Sequence, residues 1–339
     1  MTHVNIPFFV PHLGCPHTCV FCNQRTITGI KNATLEDFDK TVKEVLASLT
    51  MKECEKQIAF FGGSFTAIER DIMLSLLEGA YAYVKRGDVS SVRLSTRPDA
   101  IDDEILTVLK RFGVSTVELG IQSTDPTVLE ASERGHTSED SQLACERIKA
   151  HGFTLVGQIM LGLPSSTEEK EIKTATDLVR WGVDEVRIYP TVVFKETALA
   201  HAMEQGCYHP LSVEEAVSRA ASVYKIFSEN GIRVIRVGLC ETEGLRSDTT
   251  VGGAYHPALG ELVISRLYLR KIQRLLRDVS ISSHSTLTIQ VSAKSLSKAI
   301  GQKKCNLTTL QKEYGSHRIR FEASPELSGD DVNILIKEN

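Results

Sequence analysis

Along the chain, short apolar runs alternate with longer stretches in which apolar residues recur every three or four positions. The short runs predict strands at Ile6–Val10, Gln57–Phe61, Ser91–Ser95, Thr116–Ile121, Thr154–Met160, Glu185–Tyr189 and Arg233–Val237. Several are near-continuously apolar, as strands buried on both faces must be. The longer stretches predict helices at Leu35–Leu49, Asp71–Val84, Asp103–Phe112, Ser138–His151, Thr167–Trp181 and Val213–Asn230. Leu35–Leu49 shows the logic. Thr34 can cap its start, Asp37 follows three residues on, and Phe38, Val42, Val45, Leu46 and Leu49 share one face. Repeated strand–helix units predict a parallel sheet with helices outside. The six or seven units here predict an α/β fold, a partial (β/α)6-type barrel open on one side, with its chemistry at the C-terminal strand ends.

The pattern changes after about Gly252, where Gly252-Gly253 and Pro257 make a break. The organisation expected is a barrel over 1–250, a linker helix over 251–280 (Leu259–Arg277) and a small α+β domain over 281–339. That last block reads as βααβ: strand Ser285–Val291, helix Ala293–Ile300, a turn at 301–304, helix Asn306–Tyr314 and strand Arg318–Ala323.

Charge sharpens this division. The 339 residues carry a net charge of -4, so nothing global announces a nucleic acid or a membrane surface. From Ser265 to Arg320, however, twelve basic residues face two acidic ones, so the C-terminal region is locally basic. The N-terminus has no basic stretch followed by a long apolar run, and no run approaches the roughly 18–20 residues of a membrane span. A cytoplasmic protein without a membrane partner is expected.

Of eight cysteines, three lie within eight residues in Cys15-Pro-His-Thr-Cys19-Val-Phe-Cys22, on a loop after the first strand. The scattered five read as small buried residues. The tight trio in a cytosolic chain suggests metal rather than a disulfide framework. A [4Fe–4S] cluster normally takes four thiolates, so three leave one iron open to chelate a ligand's amine and carboxylate. A closed zinc site is the alternative, with His12 or His17 as fourth ligand.

In chain order with other segments, this Cys-x3-Cys-x2-Cys loop resembles the radical S-adenosylmethionine (SAM) superfamily. The further segments are Gly62-Gly63-Ser64-Phe65-Thr66, Thr96-Arg97-Pro98-Asp99, Glu118-Leu119-Gly120-Ile121-Gln122-Ser123, Arg134-Gly135-His136-Thr137, Ile159-Met160-Leu161-Gly162-Leu163-Pro164 and Arg187-Ile188-Tyr189-Pro190-Thr191. Together they resemble most closely the radical domain of the Elongator catalytic subunit, over about residues 5 to 245, and more distantly the oxygen-independent coproporphyrinogen oxidases. The resemblance implies cofactors, a [4Fe–4S] cluster and S-adenosylmethionine, with Cys15, Cys19 and Cys22 as cluster ligands. It implies a place for Phe21 near the adenine. Gly62, Gly63 and Ser64 would lie against the methionine ammonium, with Thr96 and Arg97 beside the cosubstrate. Gln122 and Arg134 would hold the methionine portion, and a guanidinium fork suits a carboxylate. Gln158 stands where relatives place Asp or His, and Ser95 where they often have Glu. Arg187 and Tyr189 could face substrate, and Tyr189 and Cys240 are the weak catalytic candidates. An electron donor such as ferredoxin or flavodoxin is implied.

The Elongator subunit ends in an acetyltransferase domain, for which residues 246–339 are too few, so the same carboxymethyl product by the same route is not expected. The basic block instead resembles a KH-type RNA-binding module, through Ser297-Lys298-Ala299-Ile300-Gly301-Gln302-Lys303-Lys304 between two helices. Such modules clamp a nucleic-acid backbone with a Gly-x-x-Gly turn. Here Lys304 replaces the second glycine, so Lys298, Gly301, Lys303 and Lys304 are the candidate RNA contacts. The function expected is radical SAM modification of a tRNA or ribosomal RNA base. The alternatives are a radical reaction on a small molecule or tetrapyrrole, and a non-catalytic cluster-binding protein.

Overall fold

The computed structural model describes residues 2–10, 15, 19–23, 34–49, 54–239, 249–277, 279, 285–314 and 318–338. Cys240, His12 and His17 lie outside the described residues. The chain divides into two compact units: 1–216 with 226–255, and 217–225 with 256–339.

In the first unit the strands are β1 (Thr2–Val10), β2 (Cys54–Gly62), β3 (Ser91–Thr96), β4 (Val114–Gln122), β5 (Thr154–Leu161), β6 (Glu185–Pro190), β7 (Val192–Phe194), β8 (Arg233–Val237) and β9 (Thr250–Gly253). Seven of them form one parallel sheet in the order β1-β2-β3-β4-β5-β6-β8, while β7 and β9 pair antiparallel. Each crossover steps one place in the same direction, so the sheet curls into a half-barrel. The connecting helices are α1 (Leu35–Ser48), α2 (Arg70–Arg86), α3 (Asp103–Arg111), α4 (Pro126–Ala131), α5 (Ser138–Ala150), α6 (Glu168–Arg180), α7 (Ala198–Glu204) and α8 (Val213–Glu229), the middle of α8, 217–225, being counted with the second unit. Their starts are chemically marked. Thr34, Asp102, Thr137, Thr167, Thr197 and Ser212 each accept a backbone N–H of the first turn, and Thr137 and Ser212 complete capping boxes with Asp140 and Glu215. The short α4, α7, β7 and β9 were not expected, because runs of three to seven residues carry too little periodicity to register.

Alternation along the strands separates two environments. One set of side chains, including Ile58, Phe60, Leu94, Val117, Leu119, Leu155, Ile159, Val186 and Ile188, is fully buried. The opposite set is polar: Gln57, Arg93, Thr116, Glu118, Gln158 and Arg187. An aromatic column stands on the apolar side of β2. Phe60 stacks on Phe65 at 4.4 Å and on Phe38 of α1 at 5.6 Å, and Phe38 meets Phe8 edge-on at 5.3 Å. Phe65 follows Gly62-Gly63-Ser64, so this column ties the glycine turn to the sheet.

The second unit holds α9 (Leu259–Leu276), β10 (Ser285–Val291), α10 (Leu296–Ile300), α11 (Cys305–Glu313), β11 (Arg318–Ala323) and β12 (Val332–Glu338). The two-helix crossover sets β11 parallel beside β10, and β12 adds an antiparallel third strand on the other side. β12 lies beyond the expected βααβ block; it is mostly exposed, so its sequence carries no clear apolar face. The 251–280 stretch, expected as a linker helix, contributes α9. Its Tyr268, Leu269, Ile272 and Leu276 pack with Leu287, Ile289, Ala299 and Leu310 in one core. Asn306 fastens α11 inside it, its amide donating to the Ser265 and Ala299 carbonyls at 2.8 and 3.0 Å. Among the described residues, no helix is long and apolar enough to cross a membrane.

Trp181 is the only tryptophan, is nearly buried at the end of α6, and so reports on the first unit. Phe60→Ala should destabilise that unit by about 3–5 kcal/mol, since it empties a packed aromatic site. Urea unfolding followed by Trp181 fluorescence checks this, with a clearly lowered midpoint expected.

Candidate functional site

The parallel strands bring their C-terminal ends together, and the cysteine loop, the Gly62-Gly63 turn, Thr96, Arg97, Gln122 and Arg134 gather there, whereas Arg187 faces Glu118 and the N-terminal half of the wall. The cysteine loop follows β1, and Gly62-Gly63 ends β2. Gly62 has φ +109°, a conformation open to glycine, and a Cβ there would stand 3.3 Å from the Val10 backbone. The Gly63 N–H donates to the Val10 carbonyl at 2.7 Å, so the turn closes directly over the end of β1.

Three hydroxyls bridge β2 to β3. Thr66 Oγ1 donates to the Ala100 carbonyl at 2.7 Å and lies 2.6 Å from Thr96 Oγ1, which lies 2.9 Å from Ser64 Oγ. The first donation orders the chain: Thr96 must donate to Thr66, and Ser64 to Thr96. The Arg97 N–H donates back to Ser64 Oγ at 3.2 Å.

Arg134 occupies the centre. Its Nη1 donates to Cys19 Sγ at 3.1 Å and its Nη2 to the Gly120 carbonyl at 2.5 Å. Arg97 Nη2 donates to the Arg134 carbonyl at 2.6 Å, while Arg97 also forks onto Asp99. Arg97 Nη1 and Arg134 Nε, both buried, have no hydrogen-bond partner among the described residues. β4 ends on a register shift after Gly120, and Gln122 has φ 67°. This bulge turns Gln122 toward β5, where Gln158 Nε2 donates to its side-chain oxygen at 3.2 Å. Ser95 Oγ is buried and has no hydrogen-bond partner among the described residues.

The half-buried Phe21 packs against Val193, Leu199, Ala200 and Tyr208, and the Val20 carbonyl accepts the Leu199 N–H at 2.9 Å. These contacts hold the described end of the cysteine loop against β7 and α7. Arg187 Nη1 donates to the Tyr189 hydroxyl at 3.1 Å on β6.

Cys15 and Cys19 interact electrostatically, and both lie within reach of Arg134. Burial pushes the Cys15 thiol up; the Ser64 backbone lowers it, Cys19 raises it further, and Arg97 and Arg134 lower it again. Among the described residues, no three thiol, imidazole or carboxylate groups converge on one metal-sized point. An iron–sulfur cube spreads its thiolates over separate irons, and its anionic charge suits a site framed by two buried guanidiniums. The donor set therefore fits a cluster with an open iron. The orphaned N–H groups of Arg97 and Arg134 fit an anionic ligand beside it.

His136 carried no signal beyond its place in Arg134-Gly135-His136-Thr137. It is 6% exposed, neither ring nitrogen has a hydrogen-bond partner among the described residues, and its pKa falls to about 4 through burial and the neighbouring Arg134 and Arg97. The folded protein thus keeps His136 neutral where an unfolded chain protonates it near 6.5. Stability attached to this residue is present at pH 7 and is lost as pH falls through about 6.5 toward about 4, by about 3 kcal/mol at most. His136→Phe should flatten stability against pH across that window, measured by urea midpoints at pH 7.5, 6, 5 and 4.5. An unchanged slope would rule this contribution out.

The model of the Radical SAM superfamily matches residues 9–178, and that of the Radical_SAM C-terminal domain matches 183–268. A tRNA uridine(34) acetyltransferase of Methanocaldococcus infernus is 31% identical over 292 residues, covering 74% of this chain and 53% of the relative. The chain spans between about half and two thirds of the length of such curated relatives. Among solved structures, the archaeal Methanocaldococcus infernus Elp3 superposes with TM-score 0.63 at 19% identity, over 85% of this chain and 71% of that one. The Escherichia coli coproporphyrinogen III oxidase HemN superposes with TM-score 0.50 at 14% identity, over 68% of this chain and 53% of that one. These superpositions establish the half-barrel. With the family model covering half its length, the chain belongs to the radical SAM superfamily, as an enzyme whose cofactors are a [4Fe–4S] cluster and S-adenosylmethionine.

Proposed function

We propose that this enzyme modifies a base in RNA, in a tRNA or a ribosomal RNA. Cys15, Cys19 and Cys22 hold the cluster; Gly62, Gly63, Ser64, Gln122 and Arg134 seat the methionine end of the cosubstrate. The cluster supplies, when bound, the electron that splits the sulfonium into methionine and a 5′-deoxyadenosyl radical. Arg134 carries two tasks, steadying Cys19 and offering its unpartnered Nε to a carboxylate. The ordered Ser64–Thr96–Thr66 chain fixes the wall against which the ligand rests. Phe21 anchors the described end of the cysteine loop by packing on Val193 and Leu199.

One observation carries the RNA reading. In the second unit, Lys303 and Lys304 both stand exposed with left-handed backbones, φ 52° and 62°, after Gly301 at φ 83°. Each lysine in that region costs about 1–2 kcal/mol relative to a relaxed backbone. Strain held at a surface turn by two adjacent cations is suited to a phosphate backbone, which Lys binds as a point charge. Gly301 itself is obligatory, since a Cβ would meet Cys305 Sγ at 2.5 Å and Ser265 Oγ at 2.9 Å. Support also comes from the relatives named as tRNA uridine(34) acetyltransferases.

Nucleosides from total RNA of a deletion strain, compared with its parent by mass spectrometry, test the reading. One modified nucleoside should vanish and return with the wild-type gene but not with Cys19→Ala. No difference would move the substrate to a small molecule. Purified Cys19→Ala should also lose the cluster's visible absorbance after anaerobic reconstitution; full iron content would refute the ligand assignment.

Lys304→Gly separates strain from contact. It should stabilise the second unit by about 1 kcal/mol, while lowering the salt slope of RNA binding by about one. An unchanged slope would remove this turn from the RNA interface.

A further inference from the structure

The polar inner wall of the half-barrel does not end at the cysteine loop. At the N-terminal strand ends it lines a half-open cavity of about 530 Å³. Asn5 of β1 lines it, whereas the cysteine loop follows Val10, roughly 16 Å along the strand at 3.3 Å per residue. Ile235 is the one apolar residue of the lining.

Three guanidiniums meet this space: Arg93, Arg187 and Arg233. Two have a carboxylate. Arg233 pairs with Glu185, and Arg187 Nε stands 2.9 Å from Glu118 Oε2. Arg93 has no carboxylate of its own. Its nearest is the same Glu118 oxygen, at 3.6 Å, and its Nε and Nη2 make no hydrogen bond among the described residues. The Arg93 side chain is 5% exposed. Burial pulls its pKa down and Arg187 pulls it further, against the opposing pull of Glu118. A buried guanidinium short of hydrogen-bond partners is costly, and a bound anion removes that cost.

The wall also limits which anion fits. Arg93 and Arg187 share the single carboxylate of Glu118, while Glu185, and Glu55 beside His3, place negative charge on the same lining. Multiply charged groups such as phosphate are therefore disfavoured. A long acyl chain would find almost no apolar surface. A planar carboxylate suits the guanidinium fork, and Asn5, Thr116 and Thr154 supply amide and hydroxyl groups for a polar tail. At about 30 Å³ of liquid per water molecule, the space holds an organic acid of roughly ten heavy atoms with some of its waters.

We propose that this cavity is a binding site for a small polar monocarboxylate, gripped by Arg93. The site stands on the first unit alone and does not depend on the RNA reading.

Thermal unfolding of the full-length protein at constant ionic strength tests it, with acetate, pyruvate and glycerate as probes and inorganic phosphate for comparison. At least one monocarboxylate should raise the midpoint saturably in the wild type, and phosphate should not. Arg93→Met removes a buried charge at similar volume and leaves Glu118 paired with Arg187, so it should fold with an unliganded midpoint at or above wild type and lose the saturable rise. Arg93→Lys keeps the charge but not the fork and should weaken binding at least fivefold, which covers the case of a Met variant that fails to fold. The proposal is overturned by no saturable rise with any of the three acids, by the same rise in Arg93→Met, by unchanged affinity in Arg93→Lys, or by saturation with phosphate.

Discussion

A single buried guanidinium organises the C-terminal mouth of the half-barrel. Arg134 is 6% exposed, and such a group must find partners on several sides. It finds them on three separate segments: the Cys19 sulfur, the Gly120 carbonyl and, through its own carbonyl, Arg97. The cysteine loop, the end of β4 and the segment after β3 are thereby held at fixed distances. The bulge that follows Gly120 and the Gln122–Gln158 contact depend on the same geometry. Removing the guanidinium would leave the Gly120 carbonyl and a partly buried thiol without their donor.

The half-barrel keeps apolar and polar chemistry on opposite faces of one sheet. Outside, Ile58, Phe60, Leu94 and Val117 are fully buried and belong to the apolar core that stabilises the unit. Inside, residues of the same strands supply Gln57, Arg93, Glu118, Gln158 and Arg187. Because side chains alternate, neither face could change without a register slip that exchanged them. The inner wall therefore carries functional groups along its whole height, from the glycine turn to the N-terminal cavity.

Much of this was legible in the chain. The seven core strands are short runs with apolar residues at every second position or more, and helix starts are marked by Thr34, Asp102, Thr137 and Ser212, all residues whose side chains accept backbone donors. The cysteine spacing and the Gly62-Gly63 turn pointed to the chemistry, because thiolate ligands and close backbone approach demand those residue types. What escaped was short or non-local. β7, β9 and α4 are too brief for a period to show, and β12 pairs along β10 through backbone groups that any sequence carries. The 251–280 segment has the composition of a solvated helix on one side, and the partner that buries the other side lies tens of residues away.

The sequence by itself determined the half-barrel's parallel strand–helix order, the close spacing of three cysteines after its first strand and the basic character of the C-terminal unit. These follow from periodicity, spacing and local charge, which are properties of neighbours along the chain. Only the tertiary structure decided that Arg134 reaches Cys19, that His136 is buried neutral, and that Arg93 shares Glu118 with Arg187 and so lacks a carboxylate of its own. Those facts depend on which side chains meet after strands far apart in sequence are laid side by side. A buried charge owes its state to the groups that surround it in space, and the chain order does not list them.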